Sequence, residues 1–209
     1  MCRAILYLRY RMELVLATGN KKKIEEITRI LKGLPVRLYT PDDFPACPEV
    51  VEDADSFEGN AVKKAKAVSG YTQKPALSDD SGLEVDALNN APGVLSARYA
   101  GEDADDRRNV DKLLSELSGA GDEERGARFV CCIALAFPDG RVETFVGAVE
   151  GRIGWERKGA NGFGYDPVFY PEGHSRTFAE MSAGEKDSMS HRGRALEKLR
   201  EYLLTAAAD

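Results

Sequence analysis

The feature that most narrows the folds open to this chain is a pair of apolar runs on either side of Pro138-Asp139-Gly140. Ala127 to Phe137 and Val142 to Glu150 carry strand-forming side chains, and the turn between them predicts a β-hairpin, with Gly151 to Trp155 as its continuation. A hairpin is antiparallel. Upstream, Leu14-Val15-Leu16-Ala17 ends in the turn Thr18-Gly19-Asn20, after which Ile24, Ile27, Ile30, Leu31 and Leu34 recur at helical spacing. Strand, turn and helix in that order belong to parallel pairing, so the whole sheet is expected to be mixed.

The remaining segments fit one α/β unit with flanking helices. Val36 to Tyr39 predicts a second short strand, followed by a Pro-punctuated loop to Glu52-Asp53-Ala54-Asp55. Asp55 with Glu58 predicts a capping box, opening a helix through Ala61, Ala65 and Val68 that closes at Gly70. Pro75 to Ser78 leads into a predicted turn, Asp79-Asp80-Ser81-Gly82, and Leu83, Val85 and Leu88 resume a strand pattern. A loop at Pro92-Gly93 precedes a helix with an acidic first turn, Asp103 to Asp106, and a buried face of Val110, Leu113, Leu114 and Leu117. Ser118 to Gly126 reads as a loop and Val168 to Tyr170 as a short strand. Ser182 with Glu185 is a further capping box, and Arg194, Ala195, Leu196, Leu199 and Leu203 mark a final amphipathic helix. Met1 to Arg11 lacks the features of a secretory signal and is expected to be a disordered extension before a natural start at Met12.

Composition excludes several classes. A net charge of -6 and a pI near 5.2 argue against a nucleic-acid coat, which needs a broad basic surface. No apolar run approaches the roughly 20 residues of a membrane helix. Cys2, Cys47, Cys131 and Cys132 show no metal-type spacing, and the adjacent pair would point to opposite faces of a strand, so a reduced, cytoplasmic setting is expected.

Local conflicts mark the candidate chemistry. Lys21, Lys22 and Lys23 stand at a helix N-terminus, where positive charge opposes the macrodipole by roughly 0.3–1 kcal/mol per residue. An anion such as a polyphosphate would resolve the conflict, although a solvated surface helix accounts for the lysines equally well. The second glycine and the Gly-Lys-Ser/Thr ending of a Walker A loop are absent. Asp79-Asp80-Ser81-Gly82 suits a Mg-binding carboxylate, with Glu58 as a second, yet the same four residues are good turn formers. In Asn161-Gly162-Phe163-Gly164-Tyr165-Asp166-Pro167 two aromatics among glycines can stack on a base or plug the core. Ser190-His191-Arg192-Gly193, with Lys186 before it, places a second basic cluster at a helix start.

Taken together, LATGNKKK, FEGNAVKKA, ALSDDSGLEVDAL with APGVLSARYAG, NGFGYDPVF and FAEMSAGEKDSMSHRGRAL resemble the noncanonical purine NTP pyrophosphatases, also called inosine triphosphate or dITP/XTP pyrophosphatases. The resemblance spans Leu14 to Leu203. It implies an elongated α/β domain over residues 12–209, with two lobes flanking a cleft, and a homodimer. It implies Mg-dependent hydrolysis of ITP, dITP and XTP to the monophosphate and pyrophosphate. Residue by residue, it puts Thr18, Gly19, Asn20, Lys21, Lys22 and Lys23 on the triphosphate, Lys23 most firmly. Glu58 and Asp80 fall on Mg, Asp80 on the water proton and Ser81 on the substrate. Phe163, Gly164, Tyr165, Asp166, Lys186, His191 and Arg192 would form the nucleotide pocket, Arg192 donating to a 6-keto oxygen. A Nudix enzyme is excluded by the missing REXXEE helix signature. The alternative is a purine-nucleotide sensor that does not hydrolyse its ligand.

Overall fold

The computed structural model describes residues 12–103 and 105–206. The expectation for residues 1–11 lies outside them. Six strands form one sheet in the order β2-β1-β3-β4-β5-β6. The expected hairpin is its spine: β4 (Gly126–Ala136) and β5 (Val142–Ile153) pair antiparallel from Gly126↔Arg152 to Ala136↔Val142. β1 (Met12–Leu16) runs parallel to β2 (Val36–Tyr39) and to β3 (Ala76–Val85), and β3 turns the sheet mixed by pairing antiparallel with β4. The short β6 (Phe169–Pro171) closes the far edge on β5.

Helices cover both faces because the strands alternate apolar side chains to either side. On one face, α1 (Lys21–Ile30) and α5 (His191–Ala206) bury Ile27, Ala195, Leu196 and Leu199 against Leu14, Leu77, Cys131 and Ile133. On the other, α2 (Phe57–Thr72) sets Phe57, Ala61 and Ala65 against Cys132, Ala134 and Ala136. Cys131 and Cys132 thus part to opposite faces, as strand geometry requires. A further cluster joins α3 (Asp106–Glu116) to the ends of β3, β4 and β5 and to β6. The short α4 (Ala183–Met189) carries the expected Ser182–Glu185 capping box.

Four local expectations need correction, the first being that α3 begins at Asp106 with Asp105 as its cap, so that Asp103 precedes the helix and is not in its first turn. The cap of α2 is Ser56, whose side chain accepts from Gly59 N–H at 3.0 Å, so Asp55 stands outside the helix. The helix continues past Gly70 to Thr72, and Gln73 closes it in the left-handed region at φ 54°. Most consequentially, Asp79-Asp80-Ser81-Gly82 is the middle of β3, not a turn. Asp79 pairs with Ile133 and Asp80 with Cys132 across the ladder. Gly82 belongs in the strand because a Cβ there would lie 2.5 Å from the Gly93 carbonyl oxygen of the adjoining 3-10 turn Gly93–Arg98.

Candidate active site

Successive strand residues face opposite ways, so β3 sends Asp79 toward α1 and α5 and Asp80 toward α2. Asp79 is fully buried. Lys23 of α1 forms an ion pair with its Oδ1, Arg192 Nε donates to Oδ2 at 2.9 Å and Arg192 Nη2 donates to Oδ1 at 3.3 Å. Ser81 Oγ and Cys131 Sγ donate to Oδ2 at 2.9 and 3.1 Å. Burial alone would push this carboxyl up, but Arg192 and then Lys23 outweigh it and hold the pKa well below the usual range. The charged network continues through Glu26 of α1, which accepts from Arg192 Nη1 and, at 3.0 Å, from Lys186 Nζ. Lys186 also donates to Asp166 Oδ2 at 2.5 Å. Lys23 and Arg192, at the starts of α1 and α5, are therefore matched by buried carboxylates, which removes their part of the apparent conflict with the helix dipoles.

On the opposite face Lys64 Nζ stands between two acids, donating to Asp80 Oδ1 at 3.0 Å and Glu52 Oε1 at 2.7 Å, and to the Asp79 carbonyl at 2.9 Å. Asn60 Nδ2 donates to Asp80 Oδ2 at 3.3 Å. Here burial wins: opposed by Lys64 and Lys23 and aided by the charge of Glu52, it leaves the Asp80 pKa raised. Glu52 is also raised by burial, but Lys64 pulls it below its ordinary value. The expected partner, Glu58, is placed elsewhere. It lies in the first turn of α2 as predicted, but is exposed and accepts from Thr144 Oγ1 at 3.0 Å. The second carboxylate beside Asp80 is Glu52, from the acidic loop that precedes α2.

These groups line a cleft of two connected halves. The tighter half, about 120 Å³, is walled by Phe129, Phe163, Tyr165, Asp166, Lys186, His191 and Arg192, so every residue expected in the nucleotide pocket reaches it, Gly164 included. The Phe163 ring has Lys186, Lys22 and Arg192 cations at 4.9, 5.6 and 5.6 Å from its centre. His191 stacks on Phe129 at 4.7 Å, and its buried Nδ1 has no hydrogen-bond partner among the described residues. Burial, with Arg192 and Lys186 nearby, holds its pKa well below the usual value, so the ring is neutral. Tyr165 also plugs the core, its hydroxyl donating to the Ser96 carbonyl at 2.9 Å.

The roomier half, about 590 Å³, is lined by Thr18, Gly19, Asn20, Lys23, Glu52, Lys64 and Asp80. Asn20, Lys23, Ser81 and Ala97 line both halves. The Thr18–Asn20 turn ends at a capped helix: Asn20 Oδ1 accepts from the N–H groups of Lys22 and Lys23 at 3.0 and 3.2 Å. Of the three lysines, Lys23 alone lines the cleft. Lys21 is exposed, and Lys22 turns to the Gly162 carbonyl at 3.3 Å.

A hard divalent cation prefers oxygen donors and is often held by one or two carboxylates together with substrate phosphate. Glu52 and Asp80 form such an acidic pair at the roomier half. Among the described residues no group of three or more His, Cys, Asp or Glu forms a metal cage, so a cation here would take the rest of its shell from water or from a bound phosphate.

Comparison with known proteins places this arrangement. The Ham1 family model matches residues 14–202. The dITP/XTP pyrophosphatase of Desulforamulus reducens is 52% identical over 192 residues, covering 92% of this chain and 96% of that protein. The enzyme of the same name from Geobacter sulfurreducens is 52% identical over 190 residues, covering 91% and 96%. Among solved structures, a Ham1 protein from Coxiella burnetii superimposes with a TM-score of 0.86 at 42% identity, covering 93% of this chain and 99% of that one. The nucleoside-triphosphatase / dITP/XTP pyrophosphatase from Mycobacterium abscessus gives 0.75 at 47% identity, covering 90% and 98%.

Proposed function

The chain belongs to the Ham1 family, and on that premise we propose that it hydrolyses noncanonical purine nucleoside triphosphates, ITP, dITP and XTP, to the monophosphate and pyrophosphate. The names of its relatives support the reaction class. The observation that carries the reading is the junction of a base-sized aromatic pocket and an acid-and-lysine cavity through Asn20, Lys23 and Ser81. Such a site can hold a purine at one end and a polyphosphate at the other.

In this reading water adds across the bond between the α- and β-phosphoryl groups, and Asp80 takes its proton. The departing pyrophosphate gains charge beside Lys23 and Lys64. Glu52 and Asp80 would hold Mg, which when bound would neutralise charge on the phosphate oxygens. The resemblance extends the proposal to a cytoplasmic homodimer, and the free thiols of Cys47, Cys131 and Cys132 agree with a reducing setting.

Selection at the base follows from unpaired donors. Arg192 has five N–H groups. Its bonds to Asp79 Oδ2, Asp79 Oδ1, Glu26 Oε2 and Ser81 Oγ use four of them, which leaves one at Nη1 for a 6-keto oxygen. A 6-amino group offers that donor no equivalent partner. Replacing Arg192 with Ala is expected to erode the preference for ITP over ATP at least tenfold, and an unchanged ratio of kcat/KM would remove Arg192 from this role. The deciding assay supplies Mg with equal ITP, dITP, XTP, ATP and GTP and scores monophosphate plus pyrophosphate. Binding of the 6-keto nucleotides without either product would instead make the protein a sensor.

A further inference from the structure

We propose that Asn60 is a positioning residue that holds the Glu52 loop in register with Asp80. The proposal rests on the reading of Glu52 and Asp80 as metal ligands. Asn60 lies one turn into α2 and is almost completely buried. Its Oδ1 accepts from the Ala54 N–H at 2.9 Å, while Nδ2 donates to the Ala54 carbonyl at 3.4 Å and to Asp80 Oδ2 at 3.3 Å. One amide therefore grips both polar groups of a residue two positions beyond Glu52 and one oxygen of the strand carboxylate.

The side-chain inventory explains why an amide of this length fits. Aspartate supplies no donor when ionised, serine has a single hydrogen, and glutamine is one methylene longer. Lys64 also spans Glu52 and Asp80, but as an ammonium it is repelled by any cation the two acids bind. The neutral bonds of Asn60 to Ala54 carry no such conflict. Arg98 Nη2, donating to the Glu52 carbonyl at 2.9 Å, fixes the other end of the loop from the Gly93–Arg98 turn. By contrast, Lys63 grips Asp53 of the same loop from a solvent-exposed position, where an ion pair holds little.

The test measures binding of Mn2+ alone, without nucleotide, by loss of the free-ion electron paramagnetic resonance signal, beside steady-state turnover of dITP. Asn60→Ala is expected to weaken Mn2+ binding about tenfold, since partners of metal ligands commonly matter by about 10–100-fold. The Mg concentration for half-maximal turnover should rise by a similar factor, while the KM for dITP at saturating Mg stays within twofold. Hydrogen exchange at the Ala54 amide should accelerate. Lys63→Ala should change none of these. If Asn60→Ala fails to fold, Asn60→Ser, whose single hydroxyl hydrogen cannot serve both the Ala54 carbonyl and Asp80, is read in the same way. Unchanged metal binding and Mg response in a folded variant would overturn the proposal, as would a shift in stability or KM without a shift in metal response. A wild-type protein that binds no Mn2+ would instead overturn the underlying carboxylate reading.

Discussion

Asp79 and Asp80 are neighbours on one strand, equal in chemistry, and the two faces of β3 treat them in opposite ways. Asp79 meets two cations, Lys23 and an Arg192 that it shares with Glu26, and its pKa falls well below normal. Asp80 shares Lys64 with Glu52, and burial leaves its pKa raised. Both are deep in the protein, so depth does not separate them. The ratio of cation to carboxylate on each face does. Asp79, which meets two cations, is held ionised; Asp80, which leans on one lysine shared with the less buried Glu52, is left ready to accept a proton or a metal.

The largest expected effect lies on the α2 face. Asp80→Asn should lower kcat for dITP by about a hundredfold to ten-thousandfold, the usual worth of a positioned general base. Retention of more than a tenth of wild-type turnover would put the reacting carboxylate elsewhere. On the opposite face, Asp79→Asn removes the counter-charge of two cations, and breaking a buried pair of this kind costs about 3–5 kcal/mol. Urea denaturation at neutral pH reads that loss directly, and a midpoint equal to wild type would deny Asp79 its structural role.

A third comparison separates Glu52 from Glu58. Glu52→Gln should lower turnover at limiting Mg by more than about tenfold, since disturbing even the partners of a metal ligand costs about 10–100-fold. Glu58→Gln, which alters an exposed carboxylate bonded to Thr144, should leave turnover within twofold. The smallest effect concerns His191. Its folded pKa lies below the unfolded value near 6.5, so between the two the unfolded chain binds more protons, and stability falls as pH drops through that window. The contribution is at most about 1.4 kcal/mol per pH unit, and His191→Asn should flatten the fall of Tm between pH 7 and pH 5.

The sheet and its helices were legible in the sequence because they depend on local periodicity: the hairpin, the helix stripes and the Ser182–Glu185 cap all fell where spacing put them. The site was legible where a long motif names its residues, as with Phe163 to Asp166 and His191-Arg192. It failed where the deciding contacts come from distant segments. Asp79 to Gly82 has turn composition, and becomes strand because Lys23, Lys64 and Arg192 supply cations from elsewhere in the chain. Glu58 was expected over Glu52 because nothing in their spacing says which acid meets Asp80. One signal was present: Asn60 and Lys64 lie four apart, beside the apolar stripe of Ala61, Ala65 and Val68, so α2 carries two polar groups into the protein.

The most direct test of the contrast between the two faces is the urea midpoint of Asp80→Asn, measured at neutral pH. A carboxyl whose pKa is raised by folding costs stability when ionised, and the amide removes that cost. The inactive Asp80→Asn protein is therefore predicted to unfold at no lower urea concentration than wild type. A midpoint that drops as far as that of Asp79→Asn would contradict the account, because both aspartates would then be holding the fold together in the same way.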